Sequence, residues 1–231
     1  MAHSFFDDPT MLAPPRTVQV RFDGGAYVLR SPEPLKPYAR CIGEWLEHWA
    51  VATPDTVALA ERDAAGGWRK LTYAQLREAV GRIAQSLIGL HLPPGRPVVV
   101  LSDNSVDHAL LMLASMHVGR PVCTVSSAYC RLTKDYTKIQ GILHTLGPAL
   151  VYASDATVYG PPLASAALGV VTVFSQGADA HPGALSFDSL TRTAESPAVK
   201  QAFDAIQPDD HAKYLLTSGS TGHPKVVINT H

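Results

Sequence analysis

Near its end the chain reads KYLLTSGSTGHPKVVINTH, residues 213–231. Thr217, Ser218, Ser220 and Thr221 crowd hydroxyls into a short span, Gly219 and Gly222 interrupt them, and Lys225 follows. Small residues let backbone N–H groups turn toward an anion, hydroxyls donate to its oxygens and an ammonium balances its charge. The combination suits a polyphosphate. A Gly/Ser stretch also serves as a plain flexible surface turn, and the residue types alone leave both readings open.

Several other chemistries are excluded by spacing. A Walker A loop needs glycine directly before its lysine and a hydroxyl directly after it, whereas Pro224 precedes Lys225 and Val226 follows. Val226, Val227 and Ile228 are β-branched, so the segment beyond favours a strand over the helix whose dipole a Walker loop exploits. A serine-hydrolase elbow would need glycine where Thr217 stands. The strand at Val98–Leu101 runs into Ser102-Asp103-Asn104 without a glycine-rich dinucleotide loop, and no H-E-x-x-H occurs. Cys41, Cys123 and Cys130 are odd in number and lack paired short spacing, so they read as buried thiols in a reducing compartment, with a catalytic role for Cys123 or Cys130 as the alternative.

The elements that must position the hydroxyl-rich segment follow from periodicity. TVQVRFDGGAYVLRS alternates on either side of Asp23-Gly24-Gly25 and predicts a β-hairpin, followed by a proline-rich extended connector. Ile42, Trp45, Leu46 and Trp49 fall on one helical stripe expected to face a core, a ligand platform being the other use of two tryptophans. A second hairpin turns at Gly66-Gly67. Thr72 and Gln75 form a capping box for a helix that buries Leu76, Val80, Ile83, Leu87 and Leu90, with Leu71 and Leu76 as its staple. Then strands and helices alternate: strand 98–101, helix 104–118 opened by Asp103 or Asn104, strand 122–125, helix 133–146 closed by Gly147-Pro148, strand 150–153, helix 163–168 and strand 170–174. A helix over 197–206 precedes strands at 213–216 and 226–229, so the hydroxyl-rich segment connects two strands. This alternation implies an α/β fold with a mostly parallel sheet and helices on both faces, plus N-terminal β-hairpins.

Charge sets the remaining bounds. The 19 Lys and Arg nearly balance the 20 Asp and Glu, which leaves no basic field for nucleic acid or anionic lipid. The start, MAHSFFDDPTMLAPP, lacks the basic region and apolar core of an export signal. The apolar runs near 109–118 and 163–174 fall short of the roughly 18–20 residues that cross a bilayer. No membrane insertion is expected, and a cytoplasmic protein is.

The order T-S-G-S-T-G-x-P-K, entered from an apolar strand, resembles the signature loop of the adenylate-forming (AMP-binding) ligases: acyl-CoA synthetases, peptide-synthetase adenylation domains and luciferases. YVLRSPEPLKPYARCIGEWLEHWAVATPDTVALAER, LSDNSVDHALLMLASMHVGRPVCTVSSAYCRLTKDYTKIQGILHTLGPALVYASD and VVINTH look most like the feruloyl-CoA synthetase branch. Almost the whole chain is covered by the likeness.

That resemblance implies an incomplete N-terminal domain of an adenylate-forming ligase, with residues 1–40 as hairpin and connector and 41–231 as a partial AMP-binding domain. It implies a phosphate-loop role for Thr217, Ser218, Gly219, Ser220, Thr221, Gly222 and Lys225, Lys225 being the catalytic member. It also implies ATP, Mg2+ and coenzyme A, and as substrate a small carboxylic acid: ferulate or a related hydroxycinnamate, or alternatively a fatty or other aryl acid. His223 takes no role, and His231 matches a histidine that often follows the loop. Family members run to more than twice this length, so the chain is expected to be an N-terminal fragment, inactive alone. The competing expectation is a short noncatalytic nucleotide-binding or scaffold module.

Overall fold

Two units divide the chain, Met1–Tyr38 and Ala39–His231. A computed structural model describes residues 16–34, 37–63, 65–132, 135–217 and 224–231. In the first unit β1 (Val18–Arg21) pairs antiparallel with β2 (Tyr27–Arg30), Val20 opposite Val28. Gly24 and Gly25 take φ of +87° and +85° at the turn, which L side chains rarely adopt, so the predicted hairpin is present.

The second unit runs α1 (Ile42–Ala52), β3 (Val57–Arg62), β4 (Trp68–Thr72), α2 (Tyr73–Gly89), β5 (Val98–Leu101), α3 (Val106–His117), β6 (Val122–Val125), α4 (Ala128–Arg131) and α5 (Thr137–Leu146). It continues with β7 (Leu150–Asp155), α6 (Ala156–Ala166), β8 (Val171–Gln176), a 3-10 turn (Ala178–Ala180), β9 (Leu185–Ser186), α7 (Phe187–Leu190), α8 (Pro197–Ala205), β10 (His211–Thr217) and β11 (Lys225–Thr230). β3 and β4 form the second predicted hairpin. Among the described residues no helix is long and apolar enough to cross a membrane.

Seven strands form the main sheet in the order β11-β10-β6-β5-β7-β8-β9. Every neighbouring pair is parallel except β10 with β11. Alternate residues of each strand feed two cores, as the period of two requires. Val98, Val100, Leu150 and Tyr152 join residues of α1, α2, α3, α7 and α8, whereas Val99, Leu101, Val151 and Ala153 join α4, α5 and α6. Helices therefore cover both faces, in agreement with the α/β expectation. From β5 the chain moves to β6 on one side and then to β7 on the other, so the winding reverses at β5. In open α/β sheets ligands bind beyond the carboxyl ends of strands at such a reversal.

Several details depart from the sequence-based expectations. On α1 the buried residues are Gly43 and Leu46, while Trp45 and Trp49 are 53% and 39% exposed and Ile42 is exposed too. Gly43 sets this rotation, because a Cβ there would lie 2.6 Å from Phe203 Cε2 and 3.0 Å from His117 Nδ1. The cap of α3 is Ser105, whose hydroxyl accepts from the His108 N–H at 3.1 Å, not Asp103 or Asn104. The helix placed at 133–146 begins at Thr137, with the single turn α4 ahead of it; residues 133 and 134 lie outside the described residues. α6 starts seven positions earlier than the predicted Leu163, because Asp155 caps it by accepting from the Thr157 N–H at 2.7 Å, and it ends before Leu168. Leu90 is the C-terminal cap of α2 and only partly buried.

Candidate functional site

β10 and β11 form where the sequence supplies apolar and β-branched residues on either side of the hydroxyl-rich segment. Their antiparallel register runs Tyr214–Ile228, Leu215–Val227, Leu216–Val226 and Thr217–Lys225. Directly opposed residues in an antiparallel pair project to the same face, with Cβ atoms about 4.5–5.5 Å apart. Thr217 and Lys225 therefore project from the same face of the strand pair, both exposed, at the mouth of the connection between the strands. Ser218, Gly219, Ser220, Thr221 and Gly222 lie outside the described residues, as does His223. Among the described residues Lys225 has no ion-pair partner, which leaves its charge available to an anion.

Because β10 runs parallel to β6, and β6 to β5, the mouth of this connection lies along the same sheet edge as the loops after β5 and β6. A polar network fills that edge. Asp103, just beyond β5, accepts from the Ser127 hydroxyl and from Arg131 Nη1. Its backbone oxygen accepts from Ser102 Oγ at 2.6 Å and lies 3.3 Å from His108 Nδ1. His108 Nε2 lies 3.2 Å from Thr124 Oγ1 on β6. Burial holds the His108 imidazole below its ordinary range and the nearby Lys213 ammonium adds to this, against the Asp103 carbonyl. A neutral imidazole can pass one hydrogen bond between the β5 loop and β6, tying the rim together. Sequence reasoning missed this network, since Asp103 is 24 and 28 positions from its partners and looked only like a helix cap.

The cysteines are buried, as expected. Burial pushes the Cys123 and Cys130 thiols up to about 11, only partly opposed at Cys123 by Lys213. Neither carries appreciable thiolate near neutral pH, which speaks against the nucleophile alternative. His231 donates its backbone N–H to the Asp210 carbonyl at 3.2 Å, and its ring nitrogens are buried without hydrogen-bond partners among the described residues. Among the described residues no group of three or more His, Cys, Asp or Glu is placed to hold a metal ion.

A doubly wound sheet whose antiparallel edge hairpin closes on a threonine and a lysine defines the class to which the chain can be compared. Residues 46–231 match the sequence profile described as AMP-binding enzyme, and the chain belongs to that family. It is 28% identical over 196 residues to a salicylyl-CoA synthase / salicylate adenylyltransferase of a Streptomyces species, covering 83% of this chain and 34% of that protein. It is 29% identical over 194 residues to the long-chain-fatty-acid–CoA ligase FadD13 of Mycobacterium tuberculosis, covering 82% and 35%. The chain thus spans about a third of the length of these curated relatives. Among solved structures it resembles apo MbtA of Mycobacterium smegmatis, with a TM-score of 0.67 at 21% identity over 83% of this chain and 34% of that one. It also resembles a fatty acyl-adenylate ligase of L. pneumophila, with a TM-score of 0.63 at 18% identity over 84% and 31%. At these identities the likeness concerns the fold, which is that of the N-terminal domain of adenylate-forming ligases.

Proposed function

We propose that the protein activates a carboxylic acid with ATP, forming an acyl-adenylate and pyrophosphate, and then transfers the acyl group to the thiol of coenzyme A. In this reading residues 41–231 belong to the AMP-binding domain, residues 1–40 form a hairpin and connector, and residues 217–225 hold the departing diphosphate. The observation that carries it is the register that sets Thr217 beside Lys225 at the two ends of a segment rich in glycine and hydroxyls.

The substrate carboxylate oxygen attacks the α-phosphorus of ATP and the bond to the β-phosphate oxygen breaks. Negative charge grows on the leaving diphosphate. Lys225 and the hydroxyls of Thr217, Ser218, Ser220 and Thr221 stabilise that charge through hydrogen bonds, which strengthen as it develops. Gly219 and Gly222, having no Cβ, are residue types that let backbone N–H groups approach phosphate oxygens closely. Mg2+ arriving with ATP would supply further neutralisation of the triphosphate charge, in addition to Lys225. Attack of the coenzyme A sulfur on the acyl carbon then expels AMP.

For the acid, we propose a hydroxycinnamate such as ferulate, on the likeness of the scaffold segments to the feruloyl-CoA synthetase branch. The salicylyl and long-chain acyl activities named for the two relatives mark the competing substrate classes. ATP–pyrophosphate exchange by the full-length protein, driven in turn by ferulate, coumarate, caffeate, salicylate and a medium-chain fatty acid, decides among them. Exchange strongest with the three hydroxycinnamates is expected; exchange with the fatty acid or salicylate alone overturns the substrate assignment and leaves the chemistry standing.

A further inference from the structure

Beside β8 a cavity of about 300 Å³ opens between α6 and the turn of residues 177–184. Leu163, Leu168, Val170 and the buried Phe174 give it apolar walls, and no Lys, Arg, Asp or Glu lines it. Two polar side chains do line it, Thr172 and His181. Among the described residues the Thr172 hydroxyl has only a long 3.4 Å bond to the Val170 carbonyl, and the His181 ring makes no hydrogen bond.

The position of that ring is built into the chain. Gly177 and Gly183, with φ of +75° and +82°, fold the turn that carries His181 back over Phe174, the ring centroids 5.1 Å apart. Its imidazole then seats against α6 at Gly160, where a Cβ would lie 2.7 Å from His181 Nε2. Glycine followed by Pro161 and Pro162 is a poor choice inside a helix, and its smallness here lets an imidazole stand at the cavity wall.

We propose that this cavity binds a neutral monocyclic phenol, the ring between Leu163, Leu168, Val170 and Phe174 and the hydroxyl bonded to the His181 imidazole. Roughly 150 Å³ suffices for benzene in an apolar protein cavity, so the space accommodates a substituted ring. A carboxylate would meet no Lys or Arg side chain among the residues that line the cavity. An aliphatic alcohol could pair with the imidazole, but it offers no flat ring to Phe174 and loses more rotamer freedom on binding. Sheet order places β8 four strands from β10, roughly 19 Å at strand spacing, so occupancy is separable from phosphate binding.

Titration of the 15N-labelled 231-residue chain with phenol, benzoate and n-hexanol, followed by NMR, tests this. Saturable phenol binding with a Kd on the order of 1 mM is expected, with benzoate and hexanol at least about tenfold weaker. His181→Ala should weaken phenol about fivefold or more, and Ala164→Phe, at an exposed helix position on the cavity wall, should abolish binding. Absence of saturation, equal affinity for benzoate or hexanol, or undiminished binding by folded Ala164→Phe overturns the proposal. If that variant fails to fold, intermolecular NOEs from the phenol ring to the Leu163 and Leu168 methyls decide, since their absence at saturation places the ligand elsewhere.

Discussion

Gly43 shows how one absent side chain orders its neighbours. The space its Cβ would take is bounded by Phe203 and His117, whose rings stack with centroids 4.4 Å apart. Gly43→Ala forces those rings to move and should cost about 1–3 kcal/mol, read as a lower urea midpoint at unchanged slope. His117 is 2% exposed, and burial, aided by the Arg77 guanidinium, lowers its imidazole to about 4 against the opposing pull of Glu195. The unfolded chain then takes up a proton near pH 6.5 that the folded chain refuses until about pH 4. Stability from this residue is accordingly intact above pH 6.5, falls through the window and is gone below about 4, a total of about 3 kcal/mol. Arg77 draws the Glu195 carboxylate below its ordinary value, so that group adds acid sensitivity only below its unfolded pKa of 4.5. Urea unfolding from pH 7 to 4.5 should therefore show a steeper loss of stability in the wild type than in His117→Gln, where the lowered His108 and His231 still contribute; parallel profiles would contradict this. The Cys123 and Cys130 thiols, held near 11, should resist a disulfide reagent at pH 7.5 until the chain is unfolded.

Elements record how much of this was legible beforehand. The Thr72–Gln75 capping box is present, the Thr72 N–H donating to Gln75 Oε1 at 2.9 Å and the Gln75 N–H to Thr72 Oγ1 at 3.4 Å. Thr72→Ala should cost about 1 kcal/mol, measured by thermal unfolding. Local signals of this kind, glycine turns and caps with a partner three residues on, read correctly because the physics is local. The cap of α3 was misplaced since Asp103, Asn104 and Ser105 are all good caps in a row, and only the distant bonds of Asp103 to Ser127 and Arg131 remove it from the contest. The face of α1 was misplaced because two tryptophans outweighed a glycine in a hydrophobic pattern, whereas the close approach at Gly43 decides it. At the site, the two strands flanking the hydroxyl-rich segment were readable from their apolar and β-branched residues, but their antiparallel register, which sets Thr217 opposite Lys225, and the β5–β6 rim, which depends on a parallel crossover, were not.

At the scale of the molecule, a parallel sheet that reverses its winding at β5 brings the loops after β5 and β6 and the mouth of the β10–β11 hairpin to one edge. The proposed role of that hairpin is to hold the leaving diphosphate, and the most direct test of that proposal separates the two chemical steps. In the full-length protein, single-turnover pyrophosphate release and thioester formation from pre-formed acyl-adenylate can be timed independently. Charge-assisted hydrogen bonds contribute about 1.5–3 kcal/mol each, so Lys225→Ala should slow pyrophosphate release roughly 10- to 150-fold while leaving the thioester step within about twofold. Unchanged pyrophosphate release in that variant would contradict the assignment.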